Sequence, residues 1–181
     1  MKKSILFIAL IAATGSLFAQ KKTTTSGTIN FDATTSLDPL PKAENKTVIV
    51  AMDPSNGSLA FEVIIKNFAF ANPKMQVHFN SPVWMDSEKY PTSAFKGNIT
   101  NLAAIDLSKD GAYDADVAGD LTIHGVTKPV KTAGKIVVTG KAVSVNAEFT
   151  IKLEDYGVNG PAIGAGKVSK EPKIAISAAL Q

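Results

Sequence analysis

The sequence predicts an all-β protein, with about eight antiparallel strands closed into a barrel or, as the alternative, packed as a two-sheet sandwich. Three observations predict it. Apolar and polar residues alternate with a period of two over most of the chain. Clusters of Gly, Pro, Asn and Asp separate the alternating stretches. Helical periodicity is absent, except for a short helical or irregular excursion between Pro73 and Lys89.

The first strand is expected near 27–33, where Ile29 and Phe31 alternate with Thr28, Asn30 and Asp32. Thr34 to Lys46 carries no clear pattern, and a second strand follows near 46–52. The turn Asp53-Pro54-Ser55-Asn56-Gly57 leads into a third at 58–70, with Leu59, Phe61, Val63 and Ile65 on one face and Glu62 and Lys66 on the other. Ala60 and Ile64 blur that second face. Beyond the excursion, a strand at 93–102 runs towards the turn Lys109-Asp110-Gly111. The alternation is cleanest at 113–124: Tyr113, Ala115, Val117, Gly119, Leu121 and Ile123 oppose Asp114, Asp116, Asp120, Thr122 and His124. Gly125 to Pro129 turns the chain into 129–139, and Thr139-Gly140-Lys141 turns it into 142–154, where Val143, Val145, Ala147, Phe149, Ile151 and Leu153 share a face. Gly157 to Pro172 reads as a flexible loop at a barrel mouth, before a last strand at 172–180.

Long strands that are wet on one side favour closure, because a closed sheet exposes no edge. An eight-stranded barrel either fills itself with side chains or holds one small ligand. Many inward candidates are small, including Ala115, Val117, Gly119, Val143, Val145 and Ala147. They leave volume, or they fit the taper of a packed barrel.

The N-terminus reads as a secretory signal peptide. Lys2 and Lys3 precede a nine-residue apolar run, Ile5 to Ala13, and small residues follow up to Ala19, after which cleavage is expected. The run is too short for a membrane span of ~20 residues. The mature domain is therefore 20–181, and an exported chain without cysteine fits the periplasm. Loss of the leader leaves 17 lysines against 16 carboxylates, so the basic balance belongs mostly to the leader. All 19 basic residues are lysine. Without arginine there is no planar fork for phosphate or guanine, which excludes nucleic acid as the expected partner.

Catalytic patterns are thin. The two histidines, His78 and His124, belong to no metal-ligand spacing, and neither a metal nor a cofactor is expected. His124 reads as a solvent-facing residue at a strand end, bonding across the turn to Thr127, and His78 as a structural hydrogen-bonding residue. There is no G-x-S-x-G elbow. Gly164-Ala165-Gly166-Lys167 imitates a phosphate loop, but Pro161 stands where a Gly is needed and Val168 where Ser or Thr is needed. Asn45-Lys46-Thr47 and Asn98-Ile99-Thr100 match the glycosylation pattern by chance. A hydrolase or isomerase would have to use His78 with Tyr90 and Glu88, and no catalytic residue is assigned.

Two stretches carry a resemblance. Gly119-Asp120-Leu121-Thr122-Ile123-His124-Gly125-Val126-Thr127-Lys128-Pro129-Val130 closely resembles the signature of the YceI-like polyisoprenoid-binding proteins, and His78-Phe79-Asn80-Ser81-Pro82-Val83-Trp84-Met85-Asp86-Ser87-Glu88-Lys89-Tyr90-Pro91, followed by Phe95, is similar to a second stretch of that family. The resemblance covers roughly 27–180. It implies an eight-stranded, lipocalin-like antiparallel β-barrel, exported, whose interior holds a long isoprenoid such as a prenyl quinone or polyprenyl lipid. The candidate ligand-binding residues are Phe61, Val63, Phe79, Trp84, Phe95, Val117, Leu121, Val145 and Phe149. The partner implied is an isoprenoid or other long-chain lipid, with transient membrane contact. A filled barrel that presents its loops to a protein partner, as a stress-related module, is the alternative.

Overall fold

The computed structural model describes residues 21–181, so the expected leader lies outside the described residues. Nine strands form one sheet: β1 (Lys22–Asp32), β2 (Lys42–Met52), β3 (Ser58–Ile64), β4 (Ala69–Phe70), β5 (Thr92–Ile99), β6 (Gly111–Ile123), β7 (Val126–Thr139), β8 (Ala142–Thr150) and β9 (Lys173–Leu180). Two short helices, α1 (Pro73–Asn80) and α2 (Pro161–Gly164), lie between strands. Eight strands run in the order β1-β9-β8-β7-β6-β5-β3-β2, and β1 pairs with β2 to close an antiparallel barrel. The two-residue β4 is an appendage on β2, through Ala43↔Phe70 and Glu44↔Ala69.

Alternation sets the inside. On β6, Ala115, Val117 and Ile123 are buried while Asp114, Asp116 and Asp120 are exposed. The β6–β7 hairpin closes through two residues with positive φ, His124 (+52°) and Gly125 (+75°). That is the type I′ geometry whose twist matches paired strands.

Three expected strands end sooner than their apolar pattern. The stretch 58–70 breaks after Ile64, because Ile65–Asn67 forms a 3₁₀ turn whose Ile65 N–H donates to the Pro91 carbonyl (2.9 Å). The Ile64 carbonyl is taken by Asn45 Nδ2 (2.9 Å). Likewise β5 stops at Ile99 and β8 at Thr150, with 3₁₀ turns at Leu102–Ala104 and Leu153–Tyr156. After β3 and β8 buried apolar residues continue past the last ladder pair, Ile65 and Phe68 in one case and Ile151 and Leu153 in the other, so burial outlasts strand pairing; the turn after β5 carries no buried residue.

Other bounds move outward. β1 begins at Lys22 and β2 at Lys42, inside the stretch that carries no clear pattern. Asn45 is fully buried in β2, and its Oδ1 accepts from the Thr47 N–H (2.9 Å) and the Thr47 hydroxyl (2.8 Å). The Asn-x-Thr spacing there is a structural device. The 157–172 loop is tethered: it contains α2, and the Ser169 N–H donates to the Ala33 carbonyl (2.8 Å).

The two ends of the barrel differ. At the end where β2, β7 and β9 finish, Val48, Val50, Met52, Val138, Val143 and Leu180 are at most 2% exposed. None of these six borders the barrel's internal cavity, so this half is packed. The other end, where β1, β3, β6 and β8 finish, is covered by α1, the 81–91 segment and the 153–172 loop.

Candidate ligand-binding cavity

Beneath that cover lies a cavity of about 340 Å³, within the size range of small-molecule sites. Its walls are almost wholly aliphatic and aromatic. Along β6 it runs from Ala115 to Ile123. At ~3.4 Å per residue and a strand tilt of about 40°, this corresponds to a length of about 20 Å along the barrel.

Eight of the nine candidate residues line it: Phe61, Val63, Phe79, Phe95, Val117, Leu121, Val145 and Phe149. Trp84 does not. Its indole lies against Gly160, where a Cβ would come within 2.5 Å of the ring, so it joins the two covering segments to each other. Sequence reasoning missed Phe31, Phe68, Met85, Ile174 and Ile176, which also line the cavity. The alternation of β1 and β9 could have supplied Phe31, Ile174 and Ile176. Phe68 and Met85 follow the break in the third strand and carry no periodic signal.

Aromatic packing shapes the space. Gly97 and Gly119 face each other across β5 and β6, and a Cβ on Gly119 would meet the Phe95 ring at 2.7 Å. The glycine pair thus lets Phe95 lie along the wall, and the volume released by Gly119 is taken by that ring. Phe79 descends from α1 into a ring of Phe70, Phe68 and Phe31, with centroids 5.0, 5.5 and 6.0 Å away. It plugs the covered end.

The cover is stitched to the barrel through His124. Its ring meets Tyr90 edge to face at 4.5 Å, and its Nδ1 lies 3.2 Å from the Tyr156 carbonyl. A carbonyl only accepts, so Nδ1 carries the proton and donates. Thr127 is not its partner: Thr127 bonds the Thr122 hydroxyl instead (2.8 Å). The expected solvent-facing histidine is half-buried because the 3₁₀ turn Leu153–Tyr156 and Tyr90 pack over the hairpin. Burial, with a smaller effect from Asp155, raises the Tyr156 phenol pKa above its ordinary value, so that side chain stays neutral.

The wall itself has a gap. β7 and β8 pair only from Gly134↔Ala147 to Thr139↔Ala142. Over 126–133, β7 is bonded to β6 alone, and beyond Ala147 β8 is bonded to β9 alone. Val130, Lys131 and Thr132 on one side and Phe149, Thr150 and Ile151 on the other border the cavity across this seam. The seam is bounded by the Gly134–Ala147 pairing at one end and by the His124–Tyr156 bond at the other.

The residues of the hydrolase alternative do not converge. His78 is exposed on α1, and its hydrogen bonds run through its carbonyl, which accepts from the Ser81 N–H and hydroxyl. The expected structural role of its ring is therefore not found. Glu88 pairs with Lys66, and Tyr90 packs on His124. Among the described residues, no group of three or more His, Asp or Glu is placed to hold a metal.

The family model for the YceI-like domain matches residues 12–180. The chain belongs to the YceI-like family. Its relatives include a UPF0312 protein of Pseudomonas putida strain F1, 37% identical over 90 residues, which are 46% of this chain and 43% of that protein. Another, from Pseudomonas fluorescens strain SBW25, is 30% identical over 117 residues, 61% of this chain and 57% of that protein. The match thus spans under half of the P. putida protein's length. Among solved structures, this YceI-like chain is similar to a polyisoprenoid binding domain from Saccharophagus degradans implicated in plant cell wall breakdown, with TM-score 0.75 and 12% identity over 89% of this chain and 97% of that one. It is also similar to Burkholderia cenocepacia BcnA, with TM-score 0.70 and 18% identity over 86% and 96%. At these identities the likeness carries the fold, an eight-stranded antiparallel barrel of the lipocalin-like kind. Among the described residues of the YceI-like domain, no helix is long and apolar enough to cross a membrane.

Proposed function

We propose that this YceI-like protein is an exported, periplasmic carrier or buffer that holds a long apolar chain, an isoprenoid such as a prenyl quinone or polyprenyl lipid, in the covered half of its barrel. The observation that carries the reading is the apolar cavity of about 340 Å³ in a barrel whose other half is packed. Each buried methylene contributes ~0.8 kcal/mol. A few isoprene units therefore supply the ~8 kcal/mol of micromolar binding after association costs of several kcal/mol. Binding alone needs no activated group. The eight candidate residues on the cavity wall would make the contacts.

Mass spectrometry of an organic extract of the natively exported protein tests this directly, with saturable binding of a neutral prenyl compound as the second readout. A neutral compound should compete at least as well as its pyrophosphate, with little dependence on salt. Protein with no apolar molecule in its extract and no saturable prenyl binding would remove the proposal. The same sample's intact mass should begin at or near Gln20, and retention of 1–19 in the exported pool would contradict export.

A further inference from the structure

Six large aliphatic side chains stand exposed among the described residues, and five of them lie at the covered end: Leu37 and Leu40 in the β1–β2 loop, Ile64 closing β3, Val77 on α1 and Val83 just after it. Four are more than half exposed, at 71% for Leu37, 59% for Leu40, 68% for Val77 and 64% for Val83. The opposite end carries the turns at 53–57, 106–110 and 139–141, which are mainly polar and in which Leu107 is the one large aliphatic and is half-buried. Single exposed aliphatics are ordinary on any protein surface. Their segregation to the end that holds the cavity is not.

We infer that the covered end is a lipid-docking surface, which seats on a bilayer by inserting Leu37, Leu40, Val77 and Val83. The inference rests on the apolar-chain reading above and names the surface through which the protein meets the membrane. Two further observations select a bilayer as the occupant. Val77 and Phe79, two residues apart on α1, are exposed and buried respectively, so one short helix carries both an outward aliphatic and the plug of the cavity. The exposed set is also purely aliphatic, whereas protein-binding hot spots are enriched in Trp, Tyr and Arg. Trp84 is seated on Gly160, and arginine is absent from the chain. Lys74, exposed on the first turn of α1, is long enough to keep its ammonium in water while its stem follows the apolar surface.

The chain contains no cysteine, so single labels are unambiguous. Val83→Cys at the covered end and Thr139→Cys at the opposite end would each carry an environment-sensitive fluorophore, mixed with phosphatidylcholine vesicles. A blue shift at 83 and none at 139, retained in high salt, is expected. No shift at 83, or equal shifts at both, overturns the inference. Flotation of unlabelled protein gives an independent reading: the double variant Val77→Asp/Val83→Asp should partition to vesicles at least tenfold less. Its binding of a neutral prenyl compound in solution should stay within a few fold, because neither residue lines the cavity. Association only with anionic vesicles and lost in salt would assign the contact to lysines and overturn the inference, as would a dimer in solution that the double variant dissolves. Failure of the parent to bind prenyl compounds at all would instead count against the carrier reading, so the two failures are told apart.

Discussion

Filling the cavity from β8 separates a binding space from a core. Ala147 lines the cavity, and Gly134 stands opposite it with no side chain. Ala147→Phe therefore projects a ring into open volume. If the ring excludes about four methylenes of a bound chain at ~0.8 kcal/mol each, affinity falls by about 3 kcal/mol, on the order of 100-fold. Stability should stay within about 1 kcal/mol of the parent, since new apolar burial offsets local adjustment. Val143 is the control on the same strand, four residues away and 1% exposed in the packed half. Val143→Phe overfills that half, costing roughly 1–3 kcal/mol and lowering Tm by roughly 2–12 °C, with affinity changed far less. Thermal melts and displacement of a neutral prenyl probe, run on both variants, give the two readouts. Equal destabilisation by both substitutions, or an unchanged affinity for Ala147→Phe, would refute the division of the barrel into a packed half and a binding half.

The hairpin at 124–125 gives a second test. His124→Ala removes one hydrogen bond and an edge-to-face contact with Tyr90, so chemical denaturation should show a loss of about 1.5–2 kcal/mol, with prenyl affinity held within a few fold. Gly125→Val should be worse, because φ is +75° and a Cβ would meet the Tyr90 ring at 2.5 Å. Val117→Asp should cost several kcal/mol by desolvating a charge in the wall, whereas Asp116→Ala on the outer face should be nearly neutral in the same measurement. A bis-maleimide staple between Lys131→Cys and Thr150→Cys, facing each other across the seam, should slow ligand exchange at least tenfold without changing the affinity of preloaded protein; unchanged exchange would place the route elsewhere. Burial alone would raise the Asp32 pKa, but hydrogen bonds from Thr34 and contact with Lys42 outweigh it and leave it below the ordinary value. Its stabilisation is thus complete above the unfolded pKa near ~3.9 and is lost as pH falls through the lower folded value. Asp32→Asn should remove that part of the acid limb in a pH series of melts.

Much of the cavity wall was legible because alternation reports which face of a strand is inward. Val117, Leu121, Val145 and Phe149 follow from it. Volume was not legible, since the same small residues serve opposite ends: Val143 closes the packed half, Gly119 makes room for the Phe95 ring, and Ala147 borders open space. Periodicity says nothing about where along the barrel axis a residue sits. The contacts that hold the cover were also beyond reach. His124 and the Tyr156 carbonyl are 32 residues apart, and the seat of Trp84 depends on a missing Cβ at Gly160, far along the chain. The break at Ile64 depends on Asn45, a polar residue that local pattern reads as surface and tertiary contact buries completely.

The seam raises the question of how a barrel tolerates an unpaired stretch of strand. An open edge offers N–H and C=O groups to any passing strand, and folded proteins blunt such edges with lysine and proline. The free edge of β7 carries Lys128, Pro129 and Lys131, all exposed. Pro129 has no N–H and so removes no bond to β8, because over 126–133 there is none to remove. The proline that marks the sequence signature thus falls on a segment where pairing to the next strand is absent, and the lysines beside it discourage pairing with another chain. The packed half keeps the barrel closed through Gly134↔Ala147 and the pairs beyond it, and the His124–Tyr156 bond holds the far end of the gap. Between these two anchors Thr132 and Phe149 border the cavity from opposite sides of the seam with no ladder pairing between their strands.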